Sequence, residues 1–282
     1  MLYRDFDLEN LEREYSPSSC IEDINIFIKE YIERSKDALI WAQQRNKVET
    51  NISYGNNVDE QLDLFLPTQG NSRKLQVYIH GGYWQELSKN ESSFAANNFQ
   101  QHGCYYAVIN YSLAPNATMT EIVAQNCKAI AWLYNNAERF GFDKNEIYIS
   151  GSSAGAHLAL MVAQMSGQYI QGVCAVSGIY DIRPIALTYI NEPLQLTDNE
   201  IGQYSPLFCS KELSIPVIYA VGENETNEFK RQSQEMADKH NSYSQVIKSR
   251  NHFDVILDLA EEKSWLCKQV FEQMGVAQIR VV

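Results

Sequence analysis

The stretch EIYISGSSAGAHLAL, residues 146–160, decides the fold. It opens as a short apolar β-like run, passes through five small residues, Gly151-Ser152-Ser153-Ala154-Gly155, and continues as an apolar helix. G-x-S-x-G between a strand and a helix forces a serine into a strained turn and leaves its hydroxyl at the top of a sheet. The glycine spacing selects Ser153 as the candidate nucleophile. Centring the pattern on Ser152 would need glycine at 150 and 154, where Ser and Ala stand. The turn also lies at a helix N-terminus, where partial positive charge favours a developing oxyanion.

Runs of the same kind flank this unit: LQVYIH (75–80), YYAVINY (105–111), GVCAVSG (172–178), PVIYAVG (216–222) and SQVIKS (244–249). Most are separated by segments of helical periodicity, such as Ile122, Ile130, Leu133 and Tyr134. Alternation of strand and helix predicts an α/β fold, a mostly parallel central sheet with helices on both faces, whose ligands sit at the carboxyl ends of the strands. Upstream, KVETNISYG and EQLDLFLP alternate around Gly55-Asn56-Asn57 and predict an antiparallel hairpin. Residues 1–46 read as a helical lead-in, and the polar stretch 181–213 as an insertion over the active-site face of the sheet. With no internal repeat or compositional break, one domain over 1–282 is expected.

Composition narrows the partners. The chain is 45% hydrophobic and 21% charged, with a net charge of −12, which argues against nucleic acid and against anionic membranes. The amino terminus lacks the basic and apolar regions of a secretory signal, and no apolar run of about 18 residues is present, so a cytoplasmic protein is expected. Six cysteines (Cys20, Cys104, Cys127, Cys174, Cys209, Cys267) lack C-x-x-C spacing and read as reduced structural thiols; neither a metal nor a cofactor is expected.

YIHGGYWQE, residues 78–86, stops an apolar run at two glycines and then presents two large aromatics. A serine nucleophile needs backbone N–H donors for its tetrahedral intermediate, one from the residue after it and others from a glycine loop after an earlier strand. Ala154, Gly81 and Gly82 are those candidates. His80 reads as a brace of the loop, and Tyr83 and Trp84 as walls of the substrate pocket. The serine also needs a base oriented by an acid, in the chain order Ser, acid, His. Of five histidines only His252 follows the last expected strand; His157, one helical turn past the serine, reads as packing. Glu223, Glu225 and Glu228 compete for the acid after VIYAVG. Glu225 is chosen because Glu223 lies too near the strand and Glu228 opens the next helix.

Together these residues resemble the kynurenine formamidases, or arylformamidases, of the α/β-hydrolase fold. HGGYW is similar to their H-G-G-x-W signature, and REYSPSS, ISYGNNVDEQLDLFLP, NYSLAPNATMTEIVAQ, SGSSAGAHLAL, SGIYDIRPI, NEFKRQS and NHFDVI resemble family segments in the family's order, over nearly the whole chain. The resemblance implies Ser153 as nucleophile, His252 as base, and Gly81, Gly82 and Ala154 as oxyanion donors. Two departures stand out: Ser152 replaces a histidine common beside the nucleophile, and Glu225 stands where animal members use an aspartate. The expected activity is metal-free hydrolysis of an aryl formamide, N-formyl-L-kynurenine giving L-kynurenine and formate in tryptophan catabolism. A small-acyl carboxylesterase would use the same residues, and a silent hydrolase fold serving as a binding protein is the third reading. The expected partner is a small-molecule substrate, with a homodimer as the assembly to test.

Overall fold

A computed structural model describes residues 1–209 and 213–276. The ends of the expected 181–213 insertion and of the 1–282 domain therefore reach into 210–212 and 277–282, which lie outside the described residues.

The lead-in forms α1 (Leu8–Glu14), a 3-10 turn (Pro17–Cys20) and α2 (Ile24–Gln43). Strands β1 (Val48–Ser53) and β2 (Gln61–Phe65) pair antiparallel, as the alternating runs predict. There follow β3 (Leu75–Ile79), α3 (Ala96–Gln101), β4 (Tyr105–Ile109), α4 (Met119–Phe140), β5 (Ile147–Ser152), α5 (Ala154–Ser166) and β6 (Gly172–Val176). Three short helices, α6 (Asn191–Leu194), α7 (Asp198–Gln203) and α8 (Pro206–Cys209), precede β7 (Val217–Asn224), α9 (Asn227–Lys239), β8 (Ser244–Asn251) and α10 (Trp265–Gln273). The eight strands form one sheet in the order β1-β2-β4-β3-β5-β6-β7-β8, parallel from β4 onward.

Period-two alternation assigns the two faces of this sheet. Leu75, Val77 and Ile79 enter one apolar layer with Ala107, Ile109, Ile149 and Val173, against α4 and α5. Tyr78, Val108, Tyr148 and Cys174 enter the other, with Tyr31 and Ala38 of α2 and Val270 and Phe271 of α10. Because both faces are covered, the central strands are apolar on both sides and read as continuous runs. Helix α5, buried over most of its length, needs no polar face. Amphipathic α4 is closed by a Thr118–Glu121 capping box and by Gly141 in the left-handed region.

This topology brings the carboxyl ends of β3, β5, β7 and β8 to one edge. Residues 80–82, 153, 225 and 252 all follow those ends. Among the described residues no helix is long and apolar enough to cross a membrane.

Candidate active site

Ser153 sits between β5 and α5 at φ +58° and ψ −123°, a conformation costly for a residue with a Cβ. Its neighbours show what holds it there. The Ser153 N–H donates to Val176 O at 2.9 Å, and its carbonyl accepts from Ala156 and His157 in the first turn of α5. A Cβ on Gly151 would stand 2.2 Å from the Gly155 carbonyl oxygen, and one on Gly155 would stand 2.1 Å from Ile79 O. Both glycines of the motif are therefore packing requirements, since strand and helix meet at a distance only hydrogen allows.

The Gly81-Gly82 loop faces this turn. A Cβ on Gly81 would lie 2.8 Å from Ser152 O and 3.3 Å from Ser153 Cβ. Gly82, Tyr83 and Trp84 have φ of +88°, +49° and +61°, three successive left-handed residues, and the N–H groups of Gln85 and Glu86 both donate to Gly82 O at 2.9 Å. The Gly81, Gly82 and Ala154 N–H groups have no hydrogen-bond partner among the described residues. Unpaired backbone donors beside a serine are the groups an oxyanion would require.

His252 directly follows β8, and its Nδ1 lies 2.7 Å from Glu225 Oε2. A carboxylate can only accept, so Nδ1–H donates this bond and Nε2 lies on the opposite edge of the ring. Ser153 and His252 are 7% and 5% exposed, and both line a cavity of about 250 Å³ together with Gly81 and Gly82. Glu225, 4% exposed, lies behind the imidazole. Its other oxygen, Oε1, accepts from Gly222 N and from Ser177 Oγ, each at 2.6 Å.

The competing carboxylates are engaged elsewhere. Glu223, inside β7, accepts from Ser249 N of β8 at 2.9 Å. Glu228, in the first turn of α9, is gripped by Arg231 at 2.7 and 2.8 Å and by the Tyr15 hydroxyl at 2.7 Å. Burial pushes the Glu228 carboxyl up, but its hydrogen bonds to Arg231 and Tyr15 outweigh this and hold it below the usual range.

Tyr83 lines the cavity and its hydroxyl donates to Tyr15 O. Trp84 corrects the expectation of a pocket wall. It is 0% exposed and outside the cavity, because the left-handed turn rotates it into the core. There its indole N–H donates to His157 Nδ1 at 3.3 Å, while His157 Nε2 donates to Tyr204 O at 2.7 Å. Burial lowers both His157 and His80 to about 4. His80, stacked on Tyr111 with ring centroids 4.2 Å apart, braces the loop through Nδ1 and Gly81 O.

Several lining residues were not among the candidates the sequence singled out. Ser16, Pro17 and Ser18 come from the lead-in, Tyr31 from α2, and Tyr189 and Ile190 from the stretch before α6. The Ser16 and Tyr189 hydroxyls, both lining the cavity, meet at 2.8 Å. Ser152 also lines the cavity, on the flank of the nucleophile. Among the described residues no group of three or more His, Cys, Asp or Glu side chains is placed to hold a metal ion.

The BD-FAE family model matches residues 62–248. The kynurenine formamidase of Danio rerio is 31% identical, covering 97% of this chain and 98% of its own, and that of Salmo salar is 30% identical over the same shares. A solved structure from Silicibacter sp. tm1040, provisionally described as a thioesterase, superposes with a TM-score of 0.82 at 26% identity over 90% of this chain and 96% of its own.

Proposed function

Because the chain belongs to the BD-FAE family of α/β-hydrolases and, within that fold, to the kynurenine formamidases, we propose that this hydrolase cleaves N-formyl-L-kynurenine to L-kynurenine and formate. The observation that carries this reading is the similarity over nearly the whole length of both chains, which includes the lead-in and the 181–190 stretch that border the cavity.

In the proposed mechanism Ser153 Oγ attacks the formyl carbon while His252 Nε2 takes the hydroxyl proton. Charge on the carbonyl oxygen is met by the N–H groups of Gly81, Gly82 and Ala154. Glu225 holds the imidazole tautomer and stabilises the imidazolium. His252 then protonates the departing aryl amine, leaving a formyl ester on Ser153. A water deprotonated by His252 attacks that ester; as the carbon–Oγ bond breaks, the imidazolium returns the proton to Ser153 Oγ and formate leaves. A formyl group needs little acyl space, which suits a serine with the Gly81 backbone close against its Cβ.

The chain is further read as one hydrolase unit, supported by lead-in contacts to the sheet side: Tyr3 to Asp181 at 2.5 Å and Thr226 to Glu14 O at 2.6 Å. A cytoplasmic location and a homodimer belong to the same proposal, to be read by fractionation and by sedimentation equilibrium.

The test is kcat/KM for N-formyl-L-kynurenine beside that for p-nitrophenyl acetate. A strong preference for the formamide supports the proposal. Preference for the ester with little formamide hydrolysis would move the chain to the esterases, where the same serine chemistry serves.

A further inference from the structure

Ser177 has no part in the chemistry above, yet it is fully buried just past β6, at φ +50°, with its hydroxyl directed at Glu225. Its N–H donates to Ala220 O of β7 at 2.8 Å, so it is tied to the strand that carries the acid. One carboxylate oxygen, Oε1, takes the Ser177 hydroxyl and the Gly222 N–H; the other, Oε2, takes His252 Nδ1–H. Neither oxygen can leave its place without breaking at least one of these bonds.

We infer that Ser177 is a positioning residue: with the Gly222 N–H it clamps Oε1, fixes which oxygen meets His252, and makes glutamate rather than aspartate the acid that fits position 225. The inference rests on the proposed triad role of Glu225. An aspartate there would withdraw the carboxylate by one carbon–carbon bond, about 1.5 Å, and could not reach the clamp and the imidazole together. Without the hydroxyl, the carboxylate turns and the imidazole tilts away from the serine, and displacements of about 1 Å in such sites cost about 100-fold in rate.

Ser177→Ala should lower kcat by about 10- to 100-fold with KM altered less than about twofold, since ground-state binding does not pass through Glu225. The low-field proton resonance of the His252–Glu225 hydrogen bond should move in the same variant. Ser177→Gly, which relieves the positive φ while removing the hydroxyl, should behave alike and guards against a folding defect. In a Glu225→Asp background, where the shorter acid misses the clamp, Ser177→Ala should add less than about a twofold loss. Unchanged kcat and an unmoved resonance in both Ser177 variants would overturn the clamp, as would a full multiplicative loss in the Glu225→Asp background. Glu225→Gln separates the two readings. Retained activity there removes Glu225 as the acid, whereas loss there with none in Ser177→Ala removes the clamp alone.

Discussion

At Gly82 a hydrogen atom stands where any side chain would meet the Glu86 carbonyl oxygen at 2.2 Å, on a backbone already at φ +88°. Gly82→Ala should therefore displace one oxyanion donor and lower kcat by roughly 100- to 1,000-fold. An unchanged kcat would show that the Gly82 N–H does not serve the reaction. The acid is tested by the same kind of comparison. Glu225→Gln should cost on the order of 10,000-fold in kcat, because the imidazole loses the partner that sets its tautomer. Glu223→Gln, which removes only the charge from an exposed carboxylate bonded to Ser249 N, should leave kcat within about twofold. The reverse result would transfer the acid to Glu223. Ser153 and His252 could be singled out in the sequence because motif spacing and chain order are local or ordinal properties. Ser177 could not, since its bond to Glu225 joins residues 48 apart and depends on β6 lying beside β7. The inward turn of Trp84 is hidden from the sequence for a related reason: an aromatic after two glycines does not reveal which way three successive left-handed residues will turn it.

At the scale of elements, strands were legible as apolar runs because a parallel sheet covered on both faces leaves little room for polar residues. Their ends were less so. β7 runs two residues past Gly222, since Asn224 pairs with Asn251 of β8 across an irregularity in register. Glu225 thus follows the strand directly, and its side chain folds back to accept the Gly222 N–H. The helices flanking the sheet are independent of this detail. Thr118 and Glu121 cap α4 reciprocally on the exposed side, so Thr118→Ala should lower stability by about 1 kcal/mol in denaturant unfolding and leave kcat unchanged. A loss several times larger would mean that the start of α4 bears a tertiary role beyond its cap.

Across the whole molecule, two buried histidines couple folding to pH. His80 and His157 are pushed down to about 4 by burial, while an unfolded histidine titrates near 6.5. Between pH 5 and 6 the unfolded chain holds more protons at these two positions, so stability rises with pH there. Together they should contribute roughly 2 to 3 kcal/mol per pH unit in that window, read from urea midpoints at pH 5 and 6. Neither imidazole should titrate above pH 5 by NMR; titration of His157 near 6.5 would contradict the Trp84–His157–Tyr204 chain of hydrogen bonds. The lead-in and the 181–190 stretch meet over the cavity through Ser16 and Tyr189, an arrangement periodicity could not reveal because the two segments are far apart in the chain. The kynurenine formamidases of Danio rerio and Salmo salar match 97% of this chain, a span that leaves few residues of either segment unmatched. The most direct test is the turnover of N-formyl-L-kynurenine by wild type and by Ser153→Ala. Wild type should form L-kynurenine and formate efficiently, and the folded variant should lose at least about 10,000-fold. Formamide hydrolysis that survives in Ser153→Ala, or is absent from the wild type, would contradict the proposal.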